Sequence, residues 1–338
     1  MGNSYSYSRY CIEINSIKMD PQDNNHLVAI ANNDGIIKIW NFVKKRLVRI
    51  FRNKGATAVA FSSDGKLFAS SGTDLTIKIW QIETAVNIAT LNINDAKYVT
   101  QLAFSPDNNQ IIYNCCGERV KLINIDTKKI STITVNVSSL TISKKVPMVV
   151  FNNDQINDNK LELIADGKIK LLNYEDDPDI YTINTGDSSL ILTDMMLSEN
   201  NERLALLNMF RVLQVWDIST GKLLCKSKIN ASSIAKNSFS RDGCKLATNN
   251  LNDEINIWCA ETGSLIKTIK CQNPRTLFMD FFDNDKKIVA VTSNYLNKYI
   301  STWNIETEKL ENNFVVDDDD DINVCAVYSH DWGIKSKY

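Results

Sequence analysis

Short apolar runs alternate with polar turns along almost the whole chain, and each cycle follows one order. A first apolar run ("ATAVAFS", "VTQLAFS", "SIAKNSFS") leads into a turn rich in Asp, Asn and Gly ("SDGK", "PDNN", "RDGC"), residues that tight turns favour. A second run follows ("LFASS", "KLATNN", "KIVAVTS"), then a third ("TIKIWQI", "VLQVWDI", "EINIWCA"). A polar turn and a fourth run close the cycle ("ETAVNIATL", "STGKLLCKS", "ETGSLIKTI"). Short β-branched runs bounded by turn residues predict strands, and no helical period competes with them. The third run is apolar on both faces of a strand: Ile77 and Ile79 point one way, Trp80 and Ile82 the other. That is the pattern of a strand covered on both sides.

The cycle can be anchored at one position in each third run: Trp40, Trp80, Ile123, Leu172, Trp216, Trp258 and Trp303. The spacings are 40, 43, 49, 44, 42 and 45 residues. A period near 40 to 45 with four strands per unit predicts an all-β, seven-bladed β-propeller of four-stranded antiparallel blades. One blade cannot bury both of its faces, so the unit has to repeat.

These residues resemble the WD-repeat β-propeller family over nearly the whole chain. Trp216-Asp217 is the literal Trp-Asp pair. Asp34, Asp74 and Asp166 stand six residues before their anchors, where the family often has Asp, and Asn252 and Asn297 hold that offset in two other copies. The family's Gly-His dipeptide is missing, because His26 and His330 are the only histidines. Its Asp-His-Ser-Trp hydrogen-bonded tetrad is therefore not expected in any blade. The resemblance implies a non-catalytic scaffold that presents loops to proteins or peptides.

The organisation read from the repeat is an N-terminal segment (1–11), the propeller (12–314) and an acidic linker with a partial eighth copy (315–338). Val327-Tyr328-Ser329-His330-Asp331 aligns with Ala103-Phe104-Ser105-Pro106-Asp107. Either this extra strand packs on the ring as a closing extension, or the chain is cut from a longer one. The fourth copy carries an Asn/Asp-rich stretch, "FNNDQINDNK" (151–160), read as a solvated insertion.

Composition narrows the classes. The 338 residues are 43% apolar and 23% charged, with a net charge of −2, values of a soluble globular protein without a global pull toward nucleic acid. No apolar run approaches a membrane span, and "MGNSYSYSRY" has no secretory h-region. A cytoplasmic setting is expected, with the eight cysteines reduced and Cys115-Cys116 part of the core. Neither a cofactor nor a metal nor a small-molecule ligand is indicated. "GxSxG", "HExxH" and Walker-type loops are all missing, so a propeller enzyme is the least supported reading.

Three features carry the candidate chemistry. "MGNSYS" fits the N-myristoylation pattern at Gly2, and Lys44, Lys45, Arg46, Arg49, Arg52 and Lys54 surround one predicted fourth strand. Together they make a membrane-recruited adaptor the alternative function; the competing reading of the basic cluster is a solvated edge strand. Asp317–Asp321 reads as a solvated loop or as a dock for a basic peptide. Finally, Met209, Leu251 and Leu296 stand seven residues before Trp216, Trp258 and Trp303, with Phe210 and Tyr295 beside them. Apolar side chains in equivalent loops form a candidate partner surface if they point outward, and cap the core if they fold inward.

Overall fold

The computed structural model describes residues 14–316 except 21–25, 33, 94–98, 116–118, 137–138, 143–147, 153–154, 157–162, 165–167, 174–180, 186–191, 199, 209, 230–237, 251, 253, 273–274 and 295–296. All regular elements among the described residues are strands. The first sheet is β1 (Ile14–Met19), β2 (Leu27–Asn32), β3 (Ile36–Asn41) and β4 (Arg46–Arg52). The second is β5 (Ala58–Phe61), β6 (Leu67–Ser71), β7 (Thr76–Gln81) and β8 (Asn87–Asn92). The third is β9 (Val99–Phe104), β10 (Gln110–Cys115), β11 (Arg119–Asn124) and β12 (Ile130–Asn136). Next come β13 (Ser139–Ile142), β14 (Met148–Asn152), β15 (Gln155–Ile156), β16 (Leu163–Ile164), β17 (Lys168–Asn173) and β18 (Tyr181–Asn184). Then follow β19 (Leu192–Leu197), β20 (Arg203–Asn208), β21 (Val212–Asp217) and β22 (Leu223–Lys228). The last two sheets are β23 (Ser238–Phe239), β24 (Lys245–Asn249), β25 (Glu254–Cys259) and β26 (Leu265–Lys270), and β27 (Arg275–Phe282), β28 (Lys287–Ser293), β29 (Lys298–Asn304) and β30 (Leu310–Val315).

The fold is all-β, with antiparallel four-stranded blades of the propeller class. The expectation of seven blades needs correcting. Six sheets are four strands in unbroken succession; the other pairs β13, β14, β17 and β18 and has the separate hairpin β15–β16 set into it. The physical reason lies in the Asn/Asp-rich stretch between β14 and β17. It is long enough to make its own small ladder, Gln155 opposite Ile164 and Ile156 opposite Leu163, where the other blades have a short turn. The last blade also runs past 314: β30 ends at Val315, and the Val316 amide donates to the Lys298 carbonyl.

All seven anchors lie in the third strand of their sheets. In four blades the pairing with the fourth strand slips beside the anchor, between Ile79 and Trp80, Val215 and Trp216, Ile257 and Trp258, and Thr302 and Trp303. Such a bulge makes room for the indole and bends the outer strand. The residue after the anchor then ties the following turn. The Asp217 carboxylate accepts from the Thr220 amide (2.8 Å) and hydroxyl (2.8 Å). The Asn124 and Asn304 side-chain oxygens accept the same pair of bonds from Thr127 and Thr307. Asn thus does the work of Asp in the Trp-Asp pair.

By backbone contacts the chain forms two compact units: residues 1–22, 28–39 and 49–138, and residues 23–27, 40–48 and 139–338. In the first, the opening strands β1, β5 and β9 pack in sequence. Its core lies between consecutive sheets, where Ile77, Ile79 and Leu91 meet Val99, Ile111 and Tyr113. In the second, β13, β19, β23 and β27 follow the same order. Its clusters include Leu213, Val215 and Phe239, and Ile255, Ile257, Met279 and Trp303. Also within it, the rings of Phe42 and Phe282 meet edge-on at 5.0 Å, and Trp40 lies 5.9 Å from Phe314.

Turns between first and second strands lace neighbouring blades. Ser62, Ser105, Ser198 and Ser240 each donate to the Asp or Asn two residues later. In the first unit, Ser63 reaches the next blade through its hydroxyl to the Pro106 carbonyl (3.0 Å) and its amide to Asn108 Oδ1 (3.0 Å). In the second, the Arg241 amide reaches Asp285 Oδ1 (2.8 Å).

Candidate interaction surface

The turn joining β20 to β21 holds the candidate that the structure describes best. Asn208 ends β20 and is buried, and its side-chain oxygen accepts from the amides of Phe210 (3.1 Å) and Val212 (2.9 Å). Its carbonyl accepts from the Arg211 amide (2.9 Å), with Arg211 in the left-handed region at φ 62°. Local hydrogen bonds therefore fix the turn, and the Phe210 side chain on it remains 59% exposed. A large aromatic held in water by a rigid turn loses little conformational freedom on binding. Met209, Leu251, Tyr295 and Leu296 lie outside the described residues, as do Gly2, Asp166 and 317–338.

Other turns of this kind use the same device from different positions. Asp34 accepts from the Ile36 amide and Asp74 from the Thr76 amide and hydroxyl. In the blades of Trp258 and Trp303, however, the acceptors are Asn250, bonded by the Asn252 and Glu254 amides, and Asn294, bonded by the Asn297 amide. Asn252 and Asn297 hold the expected offset, but the turns are pinned two and three residues earlier.

Part of the tetrad chemistry survives without histidine. Trp80 Nε1 donates to Ser70 Oγ (3.0 Å), and Asn53 Nδ2 donates to the same oxygen (3.1 Å) and to the Ser70 carbonyl (3.1 Å). Trp258 Nε1 donates to Thr248 Oγ1 (2.8 Å). The four-residue tetrad was not expected for want of histidine, yet a Trp–hydroxyl bond like its core is present in these two blades. A Ser or Thr ten residues before the Trp was the readable signal.

The basic cluster around β4 is divided. Arg49 is buried and its guanidinium donates to the carbonyls of Ile82 (2.9 Å) and Glu83, holding the β7–β8 turn. Lys44, Lys45, Arg52 and Lys54 are exposed. One member of the cluster thus serves the fold and is not available to a membrane surface.

A second exposed apolar surface was not expected. It lies on outer edge strands: Leu223 on β22 and Leu265 and Ile266 on β26, the last two 51% and 46% exposed. In the other unit, Val86 beside β8 and Ile88 on it are similarly open. The signal in the sequence was an adjacent apolar pair on a fourth run, since an edge strand can bury only one of its faces.

Little in the described residues favours catalysis. They contain no cluster of three or more His, Cys, Asp or Glu able to hold a metal. Cys115 is buried, and burial pushes the Cys225 thiol above its usual value. No helix among the described residues is long and apolar enough to cross a membrane.

Comparison with known proteins agrees with this architecture. Residues 45–81, from the end of the first blade to Trp80 and the strand that carries it, match the family model described as WD domain, G-beta repeat. The chain is 26% identical over 118 residues to small ribosomal subunit protein RACK1 of Caenorhabditis elegans, covering 34% of this chain and 35% of that protein. It is 26% identical over 146 residues to the p21-activated protein kinase-interacting protein 1-like of Gallus gallus, covering 43% and 36%. It is 22% identical over 318 residues to apoptotic protease-activating factor 1 of Homo sapiens, covering 85% of this chain and 25% of that protein. The matches thus span about a third or less of the length of these relatives.

Proposed function

From its resemblance to WD-repeat proteins, we propose that this chain is a non-catalytic protein-interaction scaffold whose partner docks on the turns between second and third strands. The observation that carries this reading is Phe210, exposed on a turn that Asn208 holds rigid. We include Met209, Leu251, Tyr295 and Leu296 in the proposed surface from their places in the sequence alone, seven or eight residues before the anchors of consecutive copies. The printed names of relatives support proteins as the ligand class: one is called an interacting protein of a kinase. Rigid apolar and aromatic anchors of this kind account for most of the binding energy at protein interfaces.

The test is F210S in the full chain, compared with wild type by quantitative affinity capture. The expected outcome is a specific set of bound proteins reduced at least about tenfold, the loss of one modest anchor. The melting temperature should stay unchanged, since the side chain is already in water. An identical set bound by both proteins would reject the surface.

A further inference from the structure

We propose that residues 317–328 of this chain dock as an added strand on the outer edge of β26, with the aspartates against Lys270. β26 ends its sheet, so its outward backbone groups have no strand beside them in that sheet. Its exposed side chains pair apolar with basic character: Leu265 and Ile266 at one end, Lys270 at the other. The outer strand of the preceding blade, β22, repeats this with exposed Leu223, Lys226 and Lys228. The chain itself holds the complement, five aspartates (Asp317–Asp321) followed by the β-prone run Ile322–Tyr328.

The path is short and its direction fits. β30 ends at Val315, and the Val316 amide is bonded to the Lys298 carbonyl where β29 begins. In the preceding sheet the equivalent end is that of Lys270, which pairs with Glu254 at the start of β25. The two sheets share one core cluster and so pack face to face, a separation of about 10 Å. Five extended residues span about 17 Å. The aspartates can therefore reach Lys270, and the following run travels back antiparallel to β26 toward Ile266 and Leu265. The nearer edge, β30, suits the segment less well, because the side chains exposed on it, Glu311 and Asn313, are neither apolar nor basic, and Glu311 is already paired with Lys287. Lys267 binds the Glu306 carbonyl and the Glu308 carboxylate and so already joins the two blades at the far end of β26. Tethering raises the local concentration of the segment to about the millimolar range, so weak contacts suffice.

Hydrogen exchange on the full chain tests this. The amides of 322–328 are expected to exchange about tenfold or more slowly than in an unstructured peptide. The protection should not depend on protein concentration. L265S/I266S should remove it, and K270E should weaken it. Adding D317K/D319K/D321K to the lysine variant should restore it, which also guards against a variant that merely misfolds. Exchange of 322–328 at the unstructured rate would overturn the proposal. So would protection that both face variants leave intact, and so would protection that grows with concentration, since a second copy would then occupy the edge.

Discussion

The first two blades occupy neighbouring stretches of sequence and solve the same problem differently. In β5–β8 the indole of Trp80 is pinned by Ser70, which Asn53 also holds. In β1–β4 the indole nitrogen of Trp40 is buried without a hydrogen-bond partner among the described residues, and the ring packs on Phe314 instead. Ile30 stands ten residues before Trp40, where Ser70 stands before Trp80. The tight turns differ as well. Asp34 is followed by Gly35 at φ 86°, Asp74 by Leu75 at φ 59°. The repeat therefore conserves a geometry, and each blade fills it with whichever chemistry its neighbours allow. A blade without a histidine in it still holds its tryptophan, through packing at Trp40 and through a short hydrogen-bond chain at Trp80.

The sharpest way to break this comparison is at the two left-handed residues. A Cβ on Gly35 would lie 2.6 Å from the Asn53 carbonyl oxygen and 2.9 Å from the Gly55 nitrogen, both backbone atoms that cannot rotate away. G35A should cost about 2 to 4 kcal/mol, the left-handed penalty plus overpacking, read from urea denaturation. L75G removes a left-handed side chain but also its packing on the Ile77–Tyr113 cluster, and should stay within about 1 kcal/mol of wild type. Equal effects would mean that the two turns are not equivalent positions of one repeat.

The next test separates the two tryptophans. W80F breaks a hydrogen bond inside a shared network; W40F removes a donor that has no partner. W80F should therefore be the more destabilising by about 1 kcal/mol in the same assay. A larger loss at Trp40 would show that its contact with Phe314 outweighs the hydrogen bond at Trp80.

How much of this was legible follows from where each signal sits. Spacing and two-faced apolarity placed the seven anchors, because a strand covered on both sides leaves a local mark in the sequence. The turn after the anchor was legible too, in Trp216-Asp217 and its Asn equivalents. Asn53 was not, since it lies in a loop 27 residues before Trp80 and nothing near it marks a buried amide. The hairpin β15–β16 was hidden because Asn- and Asp-rich stretches look alike whether or not they pair. Arg49 looked like its exposed basic neighbours, and only the fold brings the Ile82 and Glu83 carbonyls to it. Of the candidate partner residues, Phe210 alone lies among the described ones, and its exposure depends on a turn whose acceptor, Asn208, no apolar pattern could reveal.

A gentler comparison uses the turn after six of the anchors, whose fifth residue has positive φ whether it is Gly221 or Gly263, or Lys45, Ala85, Lys128 or Glu308. K128G should stabilise by up to about 1 kcal/mol if relief of strain exceeds the entropy that glycine loses, and G221A should destabilise by a similar amount. Opposite signs in thermal melts would show that the non-glycine blades carry strain which the glycine blades avoid.

The smallest effect separates blades by acid. Burial alone would raise Asp64, Asp107 and Asp242, but hydrogen bonds outweigh it and hold all three below the usual aspartate value. Their donors are the Ser62, Ser105 and Ser240 hydroxyls and the Lys66, Asn109 and Cys244 amides. A carboxylate whose folded pKa is depressed adds stability above its unfolded value, about 3.9, and loses it as pH falls through the lower folded value. In the β19–β20 turn the equivalent residue is Asn200, which accepts from the Ser198 hydroxyl and the Glu202 amide and does not titrate. Between pH 5 and pH 3, exchange protection factors corrected for intrinsic rates should therefore fall at the Lys66, Asn109 and Cys244 amides. At the Glu202 amide they should hold, and N200D should make that amide acid-sensitive like the other three. A uniform fall at all four amides would mean that acid loosens the blades as a whole and that these carboxylates are not the local latch.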